Sequence, residues 1–351
     1  CLEVDGKTLV FSVIDVCVVS KSITDKIKHE IETKYGIPTQ QVNLLSMHSH
    51  SCPNGTTEGG FSGVSKNDLY LKKVTNAILD TIGNCLLRLE EVSASYQIVS
   101  VRGFYSNRND KSAPFDDEIT MVKFTSRRND LCGMMLNIPA HSTVLGPTNM
   151  LCSTDLIGAV RKKVKDHFGT NVVAMMGAAG DISNRQYRQG DDFTELDRVS
   201  SGVFNQLIKD DHFSDLDVKS LTCVQFDHVI DYDNTIFFDK YRQQLNETIQ
   251  IIEDPRTGVD QRKLSMASKS QLESKLKRDH VHKPVFSKYF DLGGLRIVTF
   301  GGELSSKFGL MMKRKDPTKL TLVMTCCDDH QGYFIEQENY GKYYETIATD
   351  V

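Results

Sequence analysis

The chain has 351 residues, which is enough for one large domain or two modest ones with a substantial buried core. Hydrophobic residues make up 39% and charged residues 25% of it, and the formal net charge of −4 excludes a general attraction to nucleic acids or anionic membranes. No apolar run reaches the roughly 18 residues of a membrane-spanning helix, and the chain does not begin with a signal peptide.

The nine cysteines are odd in number and contain no Cys-x-x-Cys pair. Cys326 and Cys327 are adjacent and poorly placed for a disulfide with each other. This usage favours unpaired thiols in a reducing compartment. It therefore favours the cytoplasm, although localisation stays open: the chain starts at Cys1 without a methionine, and we expect the natural protein to extend beyond both ends.

The first fifty residues predict a βαβ unit. Residues 9–19 are apolar and β-branched, which is typical of a buried strand. Isoleucines recur every fourth residue over 23–31 and predict a helix, and residues 42–47 predict a second strand. The motif that contains His48 and His50 follows directly, at the carboxyl end of that strand.

Strands continue to alternate with helices along the chain, which predicts an α/β fold of mixed sheets flanked by helices, within a single domain over 1–351. The polar segment 186–283 is predicted to be a mainly helical insertion or cap. The other predicted elements are helices over 68–89 and 155–167, and strands over 93–101, 119–124, 134–138, 172–176, 295–300 and 320–325.

Four segments place residues that suit a metal just after predicted strands. They contain the His48/His50 pair, His141, Glu303 and Tyr333. A hydrolytic zinc site needs imidazoles and a carboxylate, and its ligands tend to lie on loops that a rigid sheet can aim. The pattern therefore suggests a zinc site on loops at strand ends.

Each of these residues alone also has a simpler explanation. The His48/His50 pair is compatible with an incidental repeat, and His141 with a hydrogen-bonded core histidine. Glu303 is compatible with a carboxylate in the first turn of a helix, and Tyr333 with an ordinary half-buried tyrosine. Because the segments are distant in sequence, their spacing does not decide between these readings.

The motifs, taken in order, resemble the N-terminal catalytic domain of the neutral/alkaline non-lysosomal ceramidase family. The resemblance covers about residues 9–345 and is poor over 186–283. The first matches are His48-Ser49-His50-Ser51-Cys52-Pro53 for the family's His-Thr-His-Ser-Gly-Pro and Asn107-Arg108 for its Asn-Arg. Next come Ala140-His141-Ser142-Thr143 for Ala-His-Pro-Thr, the family's following Asn and Ser-x-Asp-x-x-Gly as Asn149, Ser153, Asp155 and Gly158, and Gly180-Asp181-Ile182-Ser183-Asn184-Arg185 for Gly-Asp-Val-Ser-Pro-Asn. The last are Gly301-Gly302-Glu303 for Pro-Gly-Glu, and Gly332-Tyr333-Phe334 with Tyr340 and Tyr343-Tyr344-Glu345 for a closing Gly-Tyr-Val motif with further tyrosines.

The resemblance implies a Zn²⁺ cofactor and hydrolysis of the amide bond of an N-acyl substrate, ceramide-like, by metal-activated water. It implies a small-molecule or lipid partner and no nucleic acid, and leaves peripheral membrane contact and oligomeric state open. Tyr343 and Tyr344 are not distinguished, because the tyrosine spacing differs by one residue. The implied metal ligands are His48, His141, Glu303 and Tyr333, and the implied further site residues are His50, Arg108, Ser183, Tyr340 and Tyr344.

The sequence departs from the family pattern at several positions. Cys52 replaces a glycine, Ser142 and Asn184 replace prolines, and the family's C-terminal immunoglobulin-like domain is absent from this chain. Ser183 is open to two interpretations, a nucleophile or a hydrogen-bonding loop serine. Two alternative functions also stay open: a zinc hydrolase of another bond, such as an ester or a cell-wall amide, and a non-catalytic homologue that binds a ligand or glycan.

Overall fold

The computed structural model describes residues 1–58, 65–339, 342–347 and 349. In chain order the elements are β1 Leu2–Val4, β2 Lys7–Ile14, α1 Lys21–Tyr35, β3 Val42–Ser46, α2 Asp68–Leu86, β4 Val92–Ser100, β5 Ser106–Asn107, β6 Glu118–Ser126, β7 Leu131–Ile138, α3 Asp155–Phe168, β8 Val172–Met176, β9 Ile182–Ser183, α4 Phe193–Leu207, β10 Ser214–Leu216, β11 Val218–Asp233, α5 Phe238–Glu253, α6 Val259–Lys275, β12 His280–Gly293, β13 Leu295–Phe300, β14 Glu303–Leu304, α7 Ser306–Arg314, β15 Leu320–Met324, β16 Tyr333–Phe334 and α8 Tyr344–Ile347, with short 3₁₀ helices at Thr39–Gln41, Arg185–Tyr187, Asn234–Phe237 and Gln337–Asn339.

The chain divides into two compact units. The first unit comprises Cys1–Gln225 and Ser287–His330, and the second comprises Phe226–Phe286 and Gln331–Val351. The chain passes from one unit to the other three times: within β11, within β12 and between His330 and Gln331. The prediction of a single domain with a cap over 186–283 stays a prediction.

The βαβ unit predicted at the start of the chain is confirmed. Strands β2 and β3 pair in parallel, and α1 between them buries its repeated isoleucines. Gly36 ends this helix with a left-handed φ of 69° and donates its N–H to the Glu32 carbonyl, a conformation that favours glycine. The first strand ends at Ile14 rather than at residue 19, because the apolar residues that follow form a buried loop whose Val16 carbonyl accepts from the N–H of His48.

Mixed sheets dominate the first unit, as the sequence predicted. One sheet has the order β10-β4-β6-β7-β8 and is antiparallel apart from the parallel pair β7/β8. In another, of order β11-β12-β13-β15, β12 and β13 are antiparallel whereas β13 and β15 are parallel. Strands β7, β8, β13 and β15 correspond to predicted strands, since each is a short, strongly apolar run.

Helices cover these sheets within the first unit. Helices α3 and α4 contribute Val160, Val199 and Val203 to a core formed with β6, β7 and β8. A second core, which includes Phe290 and Met175, fills the space between the faces of the sheets, and α1 and α2 pack over β2 and β3. Burial of these apolar side chains holds the loops at the strand ends in fixed positions.

The segment 186–283 contains more strand than the sequence indicated. Besides α4, α5 and α6 it holds β10, β11 and the start of β12. Strand β11 was missed because it is largely exposed along its length and lacks a clear apolar alternation. In the second unit, buried Asn234 donates to the carbonyls of Lys275 and Arg278, at 2.9 and 2.6 Å, and accepts from the hydroxyl of Tyr241.

Across the described ranges, no helix combines the length and apolar character that a membrane crossing requires.

Candidate metal centre

Three predicted ligands of the first unit lie just beyond the carboxyl ends of strands, His48 and His141 on loops and Glu303 at the start of the short strand β14. His48 follows β3, His141 follows β7 and Glu303 follows β13, and each of these strands takes part in a parallel pair. The loops are joined through their backbones by a bridge between Ser49 and Ser142 and by the N–H of His50, which donates to the Ser142 carbonyl at 3.2 Å. The ends of strands from three different sheets therefore bring together side chains that are far apart in sequence.

The three side chains converge on one carboxylate oxygen. Nε2 of His141 lies 2.8 Å from Oε2 of Glu303, and Nε2 of His48 lies 3.4 Å from the same oxygen. All three side chains are at most 2% exposed. One ligand atom from each lies within 4.8 Å of the other two, so the set is compact enough to hold a metal ion.

The opposite ring nitrogens fix both imidazoles. Nδ1 of His48 lies 2.9 Å from the Cys17 carbonyl oxygen, and Nδ1 of His141 lies 2.9 Å from that of Ile182. A carbonyl oxygen only accepts, so each Nδ1 carries a proton and each neutral ring directs a lone pair from Nε2 towards Glu303. Two lone pairs facing a buried carboxylate require a cation between them, either a proton or a metal. This donor set fits zinc, including the carbonyl contacts that orient ligating histidines.

The charges of the cluster agree with this arrangement. Burial would raise the pKa of Glu303, but His48, His141 and His330 together hold that pKa well below its ordinary value. Burial also opposes a charge on His48, yet Glu303 raises the pKa of His48 well above the usual histidine value. Burial lowers the pKa of His141 in spite of Glu303. A proton on His48 thus supplies the missing positive charge, and a bound metal would replace it.

The sequence analysis did not identify three neighbours of this cluster, namely Cys17, Cys326 and His330. Cys17 and His50 form one further ligand group with His48, and Cys326 and His330 form another. Burial raises the pKa of the Cys326 thiol, whereas two imidazoles and a carboxylate are the ligand set of many hydrolytic zinc sites. The group made by His48, His141 and Glu303 is therefore the best candidate. No spacing pattern marked the two cysteines or His330 in the sequence.

His50 lies beside the cluster. Its Nε2 is 3.4 Å from Nε2 of His48, and the residue is exposed. The pKa of His50 is held well below the ordinary value, mainly because the protein shields its ring from water and secondly because of the charges of His48 and His141. A neutral imidazole at this position can accept a proton.

Arg108 is placed by the loop that contains Gly180 and Asp181. Its Nη2 donates to the Gly180 carbonyl at 2.8 Å, and its backbone N–H donates to the Asp181 carbonyl. The Asp181 carboxylate accepts from the backbone N–H and the hydroxyl of Ser306, which anchors the loop. A Cβ on Gly180 would lie 2.9 Å from the carbonyl oxygen of Glu303, so this close approach requires glycine.

Ser183 is buried next to the Ile182 carbonyl that fixes His141. Its hydroxyl oxygen accepts from the backbone N–H of Arg185 at 3.2 Å. This contact is typical of a loop serine, since a nucleophile would be paired with a general base.

Another motif residue, Asp155, supports the loop of His141. Its buried carboxylate accepts from the backbone N–H groups of Val144 and Leu145 at 2.9 and 3.0 Å. It adopts a left-handed φ of 50°, which is unusual for a residue other than glycine. Asp155 thus fixes the conformation of the loop, and its carboxylate is engaged by backbone N–H groups rather than by a ligand.

The predicted tyrosines belong to the second unit. Tyr333 is buried, and its ring lies 6.1 Å from that of Tyr344, centroid to centroid. Tyr340 lies outside the described residues. The assignment of Tyr333 as a zinc ligand and of Tyr340 and Tyr344 as site residues stays a prediction.

Comparison with known proteins identifies relatives of one kind. Neutral ceramidase 1 of Arabidopsis thaliana is 24% identical over 237 residues, which cover 62% of this chain and 29% of the relative. Neutral ceramidase of Oryza sativa subsp. japonica is 24% identical over 185 residues, covering 47% and 23%. No family model matches the sequence.

Solved structures share the fold. A crystal structure of neutral ceramidase from Pseudomonas aeruginosa superimposes with a TM-score of 0.68 at 16% identity, over 96% of this chain and 62% of that one. A structure described as ceramidase complexed with C2 gives a TM-score of 0.69 at 14% identity, over 96% and 63%. These similarities support a neutral ceramidase family domain in this chain. This confirms the resemblance found in the motifs, and the mixed α/β neutral ceramidase fold agrees with the predicted class. The chain spans less than a third of the curated relatives' length.

Proposed function

We propose that this chain is a zinc-dependent amidohydrolase that cleaves the amide bond of a ceramide-like N-acyl substrate. The observation that carries the proposal is the convergence of Nε2 of His48 and Nε2 of His141 on Oε2 of Glu303, with both Nδ1 atoms committed to backbone carbonyls. The curated relatives are named neutral ceramidases, which supports an amide-bond substrate of this type.

In this proposal His48, His141 and Glu303 hold the ion, and Tyr333 is a fourth ligand by resemblance. When bound, zinc lowers the pKa of a coordinated water and polarises the substrate carbonyl. Net hydrolysis adds water across the C–N bond and yields a fatty acid and an amine.

The side chains around the ligands supply proton transfer and charge. His50 is held neutral, so it can take a proton during attack and return it to the nitrogen of the departing amine. Burial is the main cause of the lowered pKa values of His50 and His141, and the positive charge of Arg108 adds to the lowering in both, which supports a place for Arg108 near these rings. A fixed guanidinium of this kind stabilises the negative oxygen that develops on the acyl carbon.

Zinc content and a matched pair of substrates test the proposal. The chain is purified without chelator, its metal is measured by elemental analysis, and hydrolysis of a fluorogenic N-acyl amide is compared with that of the corresponding ester. We expect about one zinc per chain and amide cleavage, with both lost in His141→Ala and Glu303→Ala. His29→Ala, which removes an exposed histidine, is the control and should retain both.

Two results would contradict the proposal. A wild-type chain that holds no zinc even after reconstitution excludes the metallohydrolase and favours a non-catalytic homologue. A chain with stoichiometric zinc that cleaves only the ester retains the metal site but excludes amide hydrolysis.

A further inference from the structure

His330 contacts the carboxylate of the metal centre through the oxygen that does not face His48 and His141. Its Nε2 lies 2.9 Å from Oε1 of Glu303, whereas His48 and His141 both face Oε2. Its ring also stacks on that of His48, with centroids 5.6 Å apart and planes inclined by 20°. One side chain therefore contacts two of the three proposed ligands of the first unit, Glu303 and His48.

Hydrogen bonds made by the two preceding residues, Asp328 and Asp329, hold the segment that carries His330 in place. Asp329 accepts from the backbone N–H of His330 at 2.8 Å and from that of Lys21 at 3.0 Å. Asp328, the residue before it, exchanges hydrogen bonds with the backbone of Leu44 in β3, the strand that leads to His48. The position of the His330 imidazole is thus coupled to the strand that aims the first ligand.

The two oxygens of Glu303 have different partners for a physical reason. A buried carboxylate oxygen that accepts no hydrogen bond has lost its water without compensation, which costs free energy. Rotation of the carboxylate, or binding of an ion through both oxygens, recovers part of that free energy. An N–H donor on Oε1 removes that cost and leaves Oε2 directed at the two histidines. Donors of this kind, which bind the far oxygen of a ligating carboxylate, orient it and tune the affinity for the metal.

We propose that His330 is a positioning residue that donates its Nε2–H to Oε1 of Glu303 and so orients Oε2 towards the metal. The proposal rests on the zinc site of the proposed function. His330 falls outside the compact group of His48, His141 and Glu303, in keeping with a donor to the carboxylate rather than a ligand of the ion in that group.

Two substitutions separate donation from mere occupancy of space. His330→Leu keeps a similar volume without a donor, and His330→Gln restores an N–H. Zinc affinity is measured by competition with a chromophoric chelator, and the visible spectrum of the cobalt-substituted protein reports the ligand set. We expect His330→Leu to weaken zinc binding by about 10- to 100-fold and His330→Gln to lie within about threefold of the wild type, with no change of coordination number.

The possible outcomes are distinct. Wild-type affinity in His330→Leu overturns the positioning role. Equal loss in both variants, together with a cobalt spectrum of altered coordination number, overturns it in favour of His330 as a direct ligand. A wild-type chain that binds no zinc overturns the proposed function itself, before any variant is compared. His29→Leu, at an exposed histidine, is the control for the loss of an imidazole.

Discussion

Two buried carboxylates of the first unit, Glu303 and Asp328, follow the paired strands β13 and β15 in the chain, yet their surroundings differ. Asp328 is 1% exposed and faces donors alone: the ammonium groups of Lys28 and Lys288, at 3.0 and 2.6 Å, and the N–H of Leu44. Glu303 is equally buried, but its Oε2 faces the Nε2 atoms of His48 and His141, whose Nδ1 protons are engaged by backbone carbonyls.

The comparison shows that burial alone does not mark a functional carboxylate. The positive charges of Lys288 and Lys28 hold the pKa of Asp328 below its ordinary value against the effect of burial, so its charge is already neutralised within the protein. Glu303 lacks such a permanent cation, because its positive partner is either a titratable proton on His48 or a bound metal. The cluster of Asp328 with Lys28 and Lys288 is a structural ion-pair cluster, whereas Glu303 with its histidines is suited to hold a metal.

The largest effect is expected from breaking the structural cluster. Asp328→Ala leaves two ammonium groups buried without their carboxylate, and we expect it to lower the free energy of unfolding by about 3–5 kcal/mol. Urea unfolding in the presence of chelator measures this without a contribution from zinc. Asp166→Ala, which removes the exposed partner of Lys162, should change the same quantity by no more than about 0.5 kcal/mol. A loss below about 1 kcal/mol for Asp328→Ala would contradict the structural role.

Zinc should stabilise the protein through Glu303. At free zinc about 100 times the dissociation constant, the free energy of unfolding of the wild type should rise by about 2.7 kcal/mol over its value in chelator. Glu303→Gln should abolish this gain, because an amide neutralises no charge and binds zinc poorly. Paired urea curves in a zinc buffer and in chelator give both values, with Asp166→Ala as the control that retains the gain. An undiminished gain in Glu303→Gln would exclude Glu303 as a ligand.

The pH dependence of stability should have opposite signs in the two clusters when metal is removed. The pKa of His48 is raised above 6.5, so its contribution is complete below that pH and is lost as pH rises through the folded pKa. The pKa of Asp328 is lowered from 3.8, so its contribution is present above that pH and is lost as pH falls through the lower value.

The measurement is a set of unfolding curves in chelator between about pH 5 and pH 8. The difference in unfolding free energy between the wild type and His48→Gln should shrink towards alkaline pH, by at most about 1.4 kcal/mol per unit. The difference between the wild type and Asp328→Ala should stay constant over the same range. A difference for His48→Gln that grows with pH would contradict the assigned protonation.

The sequence predicts those helices and strands whose formation depends on residues close together in the chain. The spacing of isoleucines in α1 and the short apolar runs of β8 and β13 predict elements because neighbouring residues decide them. The convergence of His48, His141 and Glu303 depends on pairings between distant strands, and only the resemblance to a family brought those residues together before the structure did.

Other features leave no trace in the sequence. His330 follows two aspartates in a stretch without periodicity, so nothing distinguishes it from a surface histidine. The cluster of Lys28, Lys288 and Asp328 consists of residue types that are usually exposed, and only the fold shows them to be buried. Strand β11 was missed for the opposite reason, since its exposure removes the alternation that marks a strand.

Ser183 should give the smallest effect and shows whether the metal cluster needs a further nucleophile. Its hydroxyl accepts from the backbone of Arg185, so Ser183→Ala removes one loop hydrogen bond and leaves the Ile182 carbonyl beside His141 in place. We expect zinc content to be unchanged and turnover of the N-acyl amide to stay within about threefold, whereas loss of a nucleophile costs on the order of 10⁴-fold or more. His50→Ala, expected to lose about 10²- to 10⁴-fold, sets the scale of the assay. A fall of three orders of magnitude in Ser183→Ala with zinc retained would indicate an acyl-serine route, in which the cluster around Glu303 assists the reaction without carrying it alone.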